Sequence, residues 1–211
     1  SRGLGDVYKR QPLTSGIQDF FLDQAAEKDE FEYMVNRCYT MYMQQNNNVI
    51  FNLLDSHDTE RLMNRCQDLD IFYQQLAILF TMPGSPCIYY GTEIALEGAH
   101  DPDCRRCMPW DEIDSAENQK KIELMKSLIR MRIQEDACRS LYFDFPHKYS
   151  QKRCVEYRKL NLDGKWIEVL LNCGSEPIEI QGQGEILFAR RCEGNSLDVR
   201  GTLIRRLPST V

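Results

Sequence analysis

The run FNLLDSHDTER at residues 51–61 gathers groups that can do chemistry, with Asp55, His57, Asp58, Glu60 and Arg61 close together. A carboxylate beside an imidazole can accept from and donate to the same polar ligand, and can move a proton. The cluster follows residues 49–54, a nearly continuous apolar run broken only by Asn52. Such a run suits a strand buried on both faces of a parallel sheet. α/β enzymes place their working side chains at the carboxyl ends of such strands. A blander role is open to the same residues, because Asp58 followed by Glu60 and Arg61 also suits the cap of a following helix.

A second group lies downstream, FTMPGSPCIYYGTEI at residues 80–94 and DPDCRRCMPW at 101–110. Cys104 and Cys107 have the spacing of a zinc knuckle or a redox centre. Zinc needs a second ligand pair, and no other CxxC or paired histidine stands at a suitable distance. A redox motif opens a helix after a strand, whereas Pro109 and Trp110 follow here, so a structural loop is the preferred reading. Trp110 could stack on a flat ligand face or anchor its loop. Trp166, in a strand, reads as core. His100, His147 and the lysines at 120, 121 and 126 read as solvated.

The elements that would position these groups follow from periodicity. Apolar residues recur at helical spacing over 15–24 and 28–45, with Phe31, Met34, Val35, Cys38, Met41 and Tyr42 on one face of the second segment. Three asparagines, residues 46–48, predict its end. A helix is expected over 70–82, with Phe72, Leu76, Leu79 and Phe80 inward. PGSP breaks it, and a strand follows over 87–90. A further helix covers 116–134, with Ile122, Met125, Leu128, Ile129 and Ile133 on one side. This alternation argues for α/β units and a parallel sheet. Beyond residue 137 short strands at 154–160, 166–171, 178–180, 186–189 and 202–207 are divided by turn signals such as Asp163 with Gly164. That texture predicts an antiparallel β-sandwich and a domain boundary near 137. Residues 1–11, SRGLGDVYKRQ, have no apolar period and resemble the translated read-through of a sequencing adaptor. They are set aside as non-native, with the natural chain expected to continue upstream of Pro12.

The 211 residues carry a net charge of −6 without a Lys/Arg stripe, which argues against a nucleic-acid partner. No run approaches the roughly 18 apolar residues of a membrane span. Nine cysteines, an odd number scattered through apolar stretches, read as reduced thiols in a cytoplasm rather than a disulfide framework.

Taken in order, the two runs closely resemble the α-amylase family of glycoside hydrolases, in its neopullulanase, cyclomaltodextrinase and maltogenic-amylase branch. There a loop Asp-Pro-x-Cys-Arg-x-Cys-Met-x-Trp follows a Pro-Gly-x-Pro-Cys-Ile-Tyr-Tyr-Gly strand. The resemblance covers residues 12–135 well and 138–211 by position and strand content. It implies an α/β plus β architecture: the C-terminal portion of a (β/α)8 barrel over 12–136, then an all-β sandwich over 137–211. Residues 49–54 and 87–90 would be the seventh and eighth barrel strands. Asp58 would be the transition-state-stabilising carboxylate and His57 a donor to the same sugar. Asp101 and Arg105 would grip the neighbouring sugar on the non-reducing side. The family often has Asp-Glu where this chain has Thr92 and Glu93, so Thr92 receives no role.

The nucleophile and acid motifs of the family do not occur in the chain. The resemblance therefore implies an inactive C-terminal fragment of a retaining enzyme acting on cyclodextrins, pullulan or maltooligosaccharides. It implies no cofactor and no metal, and a parent that forms a homodimer through an N-terminal domain. A non-catalytic carbohydrate-binding or scaffold protein, and an α-glucosidase-type relative, stand as alternatives.

Overall fold

The computed structural model describes residues 9–22 and 25–208. Two helices, α1 (Gln11–Leu22) and α2 (Lys28–Thr40), pack through Leu13, Ile17, Phe20, Phe31 and Val35, all buried. The α2 helix ends at Thr40, earlier than predicted, and Met41 is 49% exposed. The asparagines do not form a simple turn, since α3 (Gln44–Val49) runs through them. Asn47 explains both facts: its side chain is buried and donates to the carbonyls of Tyr39 and Tyr42, closing the α2 terminus.

A parallel pair follows, β1 (Phe51–Asn52) against β2 (Ser85–Pro86), in the register Phe51 to Ser85 and Asn52 to Pro86. Both strands are shorter than expected, and β2 sits two residues earlier than the predicted 87–90. A ladder forms only where a neighbour runs alongside, and here it runs from the Ser85 N–H on Ile50 O to the Cys87 N–H on Asn52 O. Gly84, at φ +111°, passes so near that a Cβ would lie 2.7 Å from Ile50 O.

Of the segment set aside as non-native, residues 1–8 lie outside the described part, while residues 9–11 belong to the fold. Lys9 bridges Phe51 in parallel, and Gln11 opens α1. Arg10 is fully buried, donating from Nε to Asn52 Oδ1 (3.0 Å) and from Nη1 to Cys38 O (2.9 Å).

The short α4 (Leu62–Cys66) leads into α5 (Leu69–Thr81), capped by the Asp68 carboxylate on the N–H groups of Asp70 and Ile71. Every residue from 72 to 81 is buried, so α5 is the central helix rather than an amphipathic surface one. Ser115 caps α6 (Ala116–Gln134), whose bounds match the prediction. Its buried face is Met125, Leu128 and Met131, while Ile129 (38%) and Ile133 (64%), expected inward, are exposed.

The remaining strands are β3 (Phe143–Asp144), β4 (Cys154–Leu160), β5 (Trp166–Asn172), β6 (Ile178–Glu179), β7 (Glu185–Glu193) and β8 (Ser196–Arg206). They form a six-stranded antiparallel sheet in the order β3-β4-β5-β8-β6, with β7 also on β8. The long β8 accounts for this: its C-terminal half pairs with β5, its N-terminal half with β6, and β7 runs along both. One face of the sheet, including Val155, Tyr157, Val169, Leu171 and Ile204, joins the core built on α5. Leu170, Leu203, Ile178, Ile180 and Leu197 form a smaller core on the other. Trp166 is only partly buried, with the Arg158 guanidinium 4.7 Å above its ring. No helix among the described residues is long and apolar enough to cross a membrane.

Candidate active site

The loop after β1 is shaped by its own hydroxyls. Ser56 N–H donates to Thr59 Oγ1 (3.0 Å) and Asp58 N–H to Ser56 Oγ (3.2 Å). This turn presents His57 and Asp58 side by side, with His57 Nε2 3.2 Å from Asp58 Oδ1. The loop after β2 is braced by Asp103, which accepts from Ala99 N–H and from two nitrogens of Arg106. Those bonds, led by the one from Arg106, hold the Asp103 carboxyl below its usual range.

The brace aims Arg105 at the first loop. Its Nε lies 2.9 Å from Asp101 Oδ1 and donates to His57 O at 3.1 Å, while its Nη2 is 4.0 Å from Asp58 Oδ1. The fold thus brings His57, Asp58, Asp101 and Arg105 together. All four side chains are between 51% and 62% exposed, so they line an open surface. Two carboxylates, a guanidinium and an imidazole on such a surface can accept from and donate to the paired hydroxyls of a sugar.

The capping alternative for Asp58 fails on geometry. The α4 N–H of Leu62 is met by Asp55 Oδ2 at 3.0 Å, not by Asp58. Asp55 is buried and also accepts from Thr92 Oγ1, at 3.0 and 3.2 Å to its two oxygens. Burial pushes its carboxyl above the usual range, against the pull of Leu62 N–H and Thr92. Thr92 therefore has a structural partner that sequence reasoning missed, because Asp55 and Thr92 meet only through the β1–β2 pairing.

Cys104 is buried with its thiol on His57 O (3.3 Å), whereas Cys107 is exposed, so the CxxC pair does not face one ligand. Trp110 is 72% exposed. His100 Nε2 pairs with Glu60 Oε1 (3.0 Å) and His147 Nδ1 with Glu32 Oε1 (3.4 Å), both at the surface. A cavity of about 640 Å³ lies elsewhere, between α5 and the sheet, lined by Gln74, Lys152, Arg153, Cys173 and Glu176. Burial pushes the Cys173 thiol up to about 12, away from the thiolate form.

Comparison with known proteins gives these residues a context. The family described as alpha amylase, catalytic domain, matches residues 17–142. A cyclomaltodextrinase from Bacillus sp is 38% identical over 169 residues, which cover 79% of this chain and 30% of that protein. The intracellular maltogenic amylase of Bacillus subtilis is 45% identical over 126 residues, 59% of this chain and 21% of the relative. Among solved structures, the maltogenic amylase from S. marinus superposes with a TM-score of 0.78 at 28% identity, covering 96% of this chain and 29% of that one. The chain thus spans less than a third of the length of these relatives.

Proposed function

Because the chain belongs to the α-amylase family, we propose that it is the C-terminal portion of a retaining glycoside hydrolase. The whole enzyme cleaves α-1,4, and some α-1,6, glucosidic bonds in cyclodextrins, pullulan or maltooligosaccharides. Residues 12–136 are the last part of its (β/α)8 barrel and 137–211 its all-β domain. The free thiols of all nine cysteines suit a reducing cytoplasm.

The observation that carries this reading is the freedom of Asp58. Its neighbour Asp55 takes the helix-capping duty, which leaves the Asp58 carboxylate half-exposed beside His57 and Arg105. In the reaction Asp58 accepts hydrogen bonds from hydroxyls of the sugar whose bond breaks, and His57 donates to the same ring. These contacts tighten as the ring flattens toward an oxocarbenium ion, so they favour the transition state over the ground state. Asp101 and Arg105 hold the next sugar. Retention needs a nucleophile and an acid about 5–5.5 Å apart, and other parts of the enzyme supply both. This chain alone is inactive.

Asp58→Asn in the complete enzyme tests the assignment. The expected result is a kcat on β-cyclodextrin lower by a factor of at least about 100, a loss of the size seen when a transition-state contact is removed. The melting temperature should stay within about 1 °C, as for other exposed sites. A variant of normal activity would remove Asp58 from the reaction.

A further inference from the structure

Arg61 stands three residues after Asp58 and is fully buried. Its guanidinium carbon lies 4.6 Å from the ring centres of both Tyr89 and Tyr90, and its Nη1 donates to Tyr90 O at 2.6 Å. Its own N–H donates to Gly98 O at 2.9 Å, just ahead of the loop that carries Asp101 and Arg105. One residue therefore ties together the Asp58 loop, the segment that follows β2 and the Asp101 loop. The fit at Gly98 is close, since a Cβ there would meet Arg61 Cδ at 3.0 Å and Asp103 O at 2.9 Å.

Arg61 Nε and Nη2 are buried without a hydrogen-bond partner among the described residues. Stranding charged N–H groups opposes folding, and an aliphatic side chain would fill the same space without that penalty. What an aliphatic side chain lacks is the directional bond to Tyr90 O and the stacking on two aromatic rings. We propose that Arg61 is a positioning residue for glycoside hydrolysis, a clasp that fixes Asp58 relative to Asp101 and Arg105 without touching substrate. The proposal rests on the assignment of Asp58 above. A displacement of about 1 Å at a reacting centre can lower a rate about 100-fold, so the clasp acts on catalysis and not only on stability.

The test is a double-mutant cycle in the complete enzyme, with β-cyclodextrin as substrate. Arg61→Lys keeps the charge and loses the planar fork. It should lower kcat/KM by about 10- to 100-fold when Asp58 is present. In the Asp58→Asn background the same change should act within about twofold, because the residue it positions no longer works. An equal loss in both backgrounds would show a general structural defect and overturn the proposal, as would an unchanged Arg61→Lys enzyme. If Arg61→Lys does not fold, Gly98→Ala crowds the same clasp from its other side. The same loss, confined to the Asp58 background, is expected of it, and an additive or absent effect would overturn the proposal equally. Asp58→Asn alone reports separately on the underlying assignment: full activity in that variant would remove the site, and the clasp with it.

Discussion

Asp55 and Asp58 sit three residues apart on one loop, and burial gives them different duties. Asp55 is 4% exposed and holds Leu62 N–H and Thr92, while Asp58 faces solvent beside His57. The raised pKa of Asp55 makes a prediction about pH. Below the unfolded carboxyl pKa of about 3.9 both states are protonated, and the neutral buried form carries its full stability. As pH rises through the folded pKa the unfolded state gains by ionising first, so stability is lost across that window. Asp55→Asn keeps an acceptor for Leu62 N–H and removes the slope. In urea unfolding the variant should therefore gain on the natural chain as the pH is raised above the unfolded carboxyl pKa of about 3.9. An unchanged difference would mean that Asp55 carries no such shift. His57 and Asp58 stood out in the sequence as a polar cluster directly after an apolar run, whereas Asp101 and Arg105 were marked only by the family resemblance. Asp55 with Thr92, and Arg61 with Tyr89 and Tyr90, were not legible, since these contacts span 28 to 37 positions and no local pattern announces them.

At the scale of elements, one side chain joins the helices to the parallel pair. Arg132, on α6 and 8% exposed, donates to Phe80 O (2.7 Å) and Met82 O (3.0 Å) at the end of α5. It also reaches Cys138 O (3.3 Å) and Gly84 O (2.5 Å), the latter directly before β2. Phe80 O and Met82 O are among the carbonyls that the end of α5 leaves unpaired, and the positive charge suits that end of the helix dipole. Arg132→Met should fill most of the space yet strand several buried carbonyls, at a cost of about 3 kcal/mol. Urea unfolding followed by circular dichroism measures this, and a change under about 0.5 kcal/mol would place the burden elsewhere. The α6 bounds were readable because Ser115 is a real cap and the apolar spacing is regular. Its buried face was not, because α5 and Arg132 rotate the contact toward Met125, Leu128 and Met131 and leave Ile133 outside. The strands of the parallel pair misled for a related reason: an apolar run marks what can be buried, while the ladder marks what has a neighbour. Asn47 shows the converse, a residue type that signals a turn but serves as the cap of a preceding helix.

At the scale of the molecule, the parallel pair sets the behaviour of the isolated chain. Parallel strands occur almost only in sheets covered on both faces, and two of them do not make a stable sheet. Across the segment from α1 to β1, Leu22 (58%), Tyr33 (68%), Met43 (70%), Val49 (67%) and Phe51 (39%) expose large apolar groups. The sheet that begins at β3, by contrast, buries apolar side chains on both faces. Exposed apolar surface beside open strand edges favours association. The isolated chain should therefore elute in size-exclusion chromatography with light scattering as concentration-dependent oligomers and bind a hydrophobic dye. Amide exchange should be slowest in β4, β5 and β8 and faster in α1 to α3, where fewer apolar groups are covered. On the role proposed for Asp58, which requires a nucleophile and an acid from other parts of the enzyme, the same preparation should give no hydrolysis of β-cyclodextrin or pullulan above buffer. A monodisperse monomer that ignores the dye would show that the exposed groups are tolerated in solution. Turnover by such a monomer would go further, because all three carboxylates of the reaction would then have to lie within this chain.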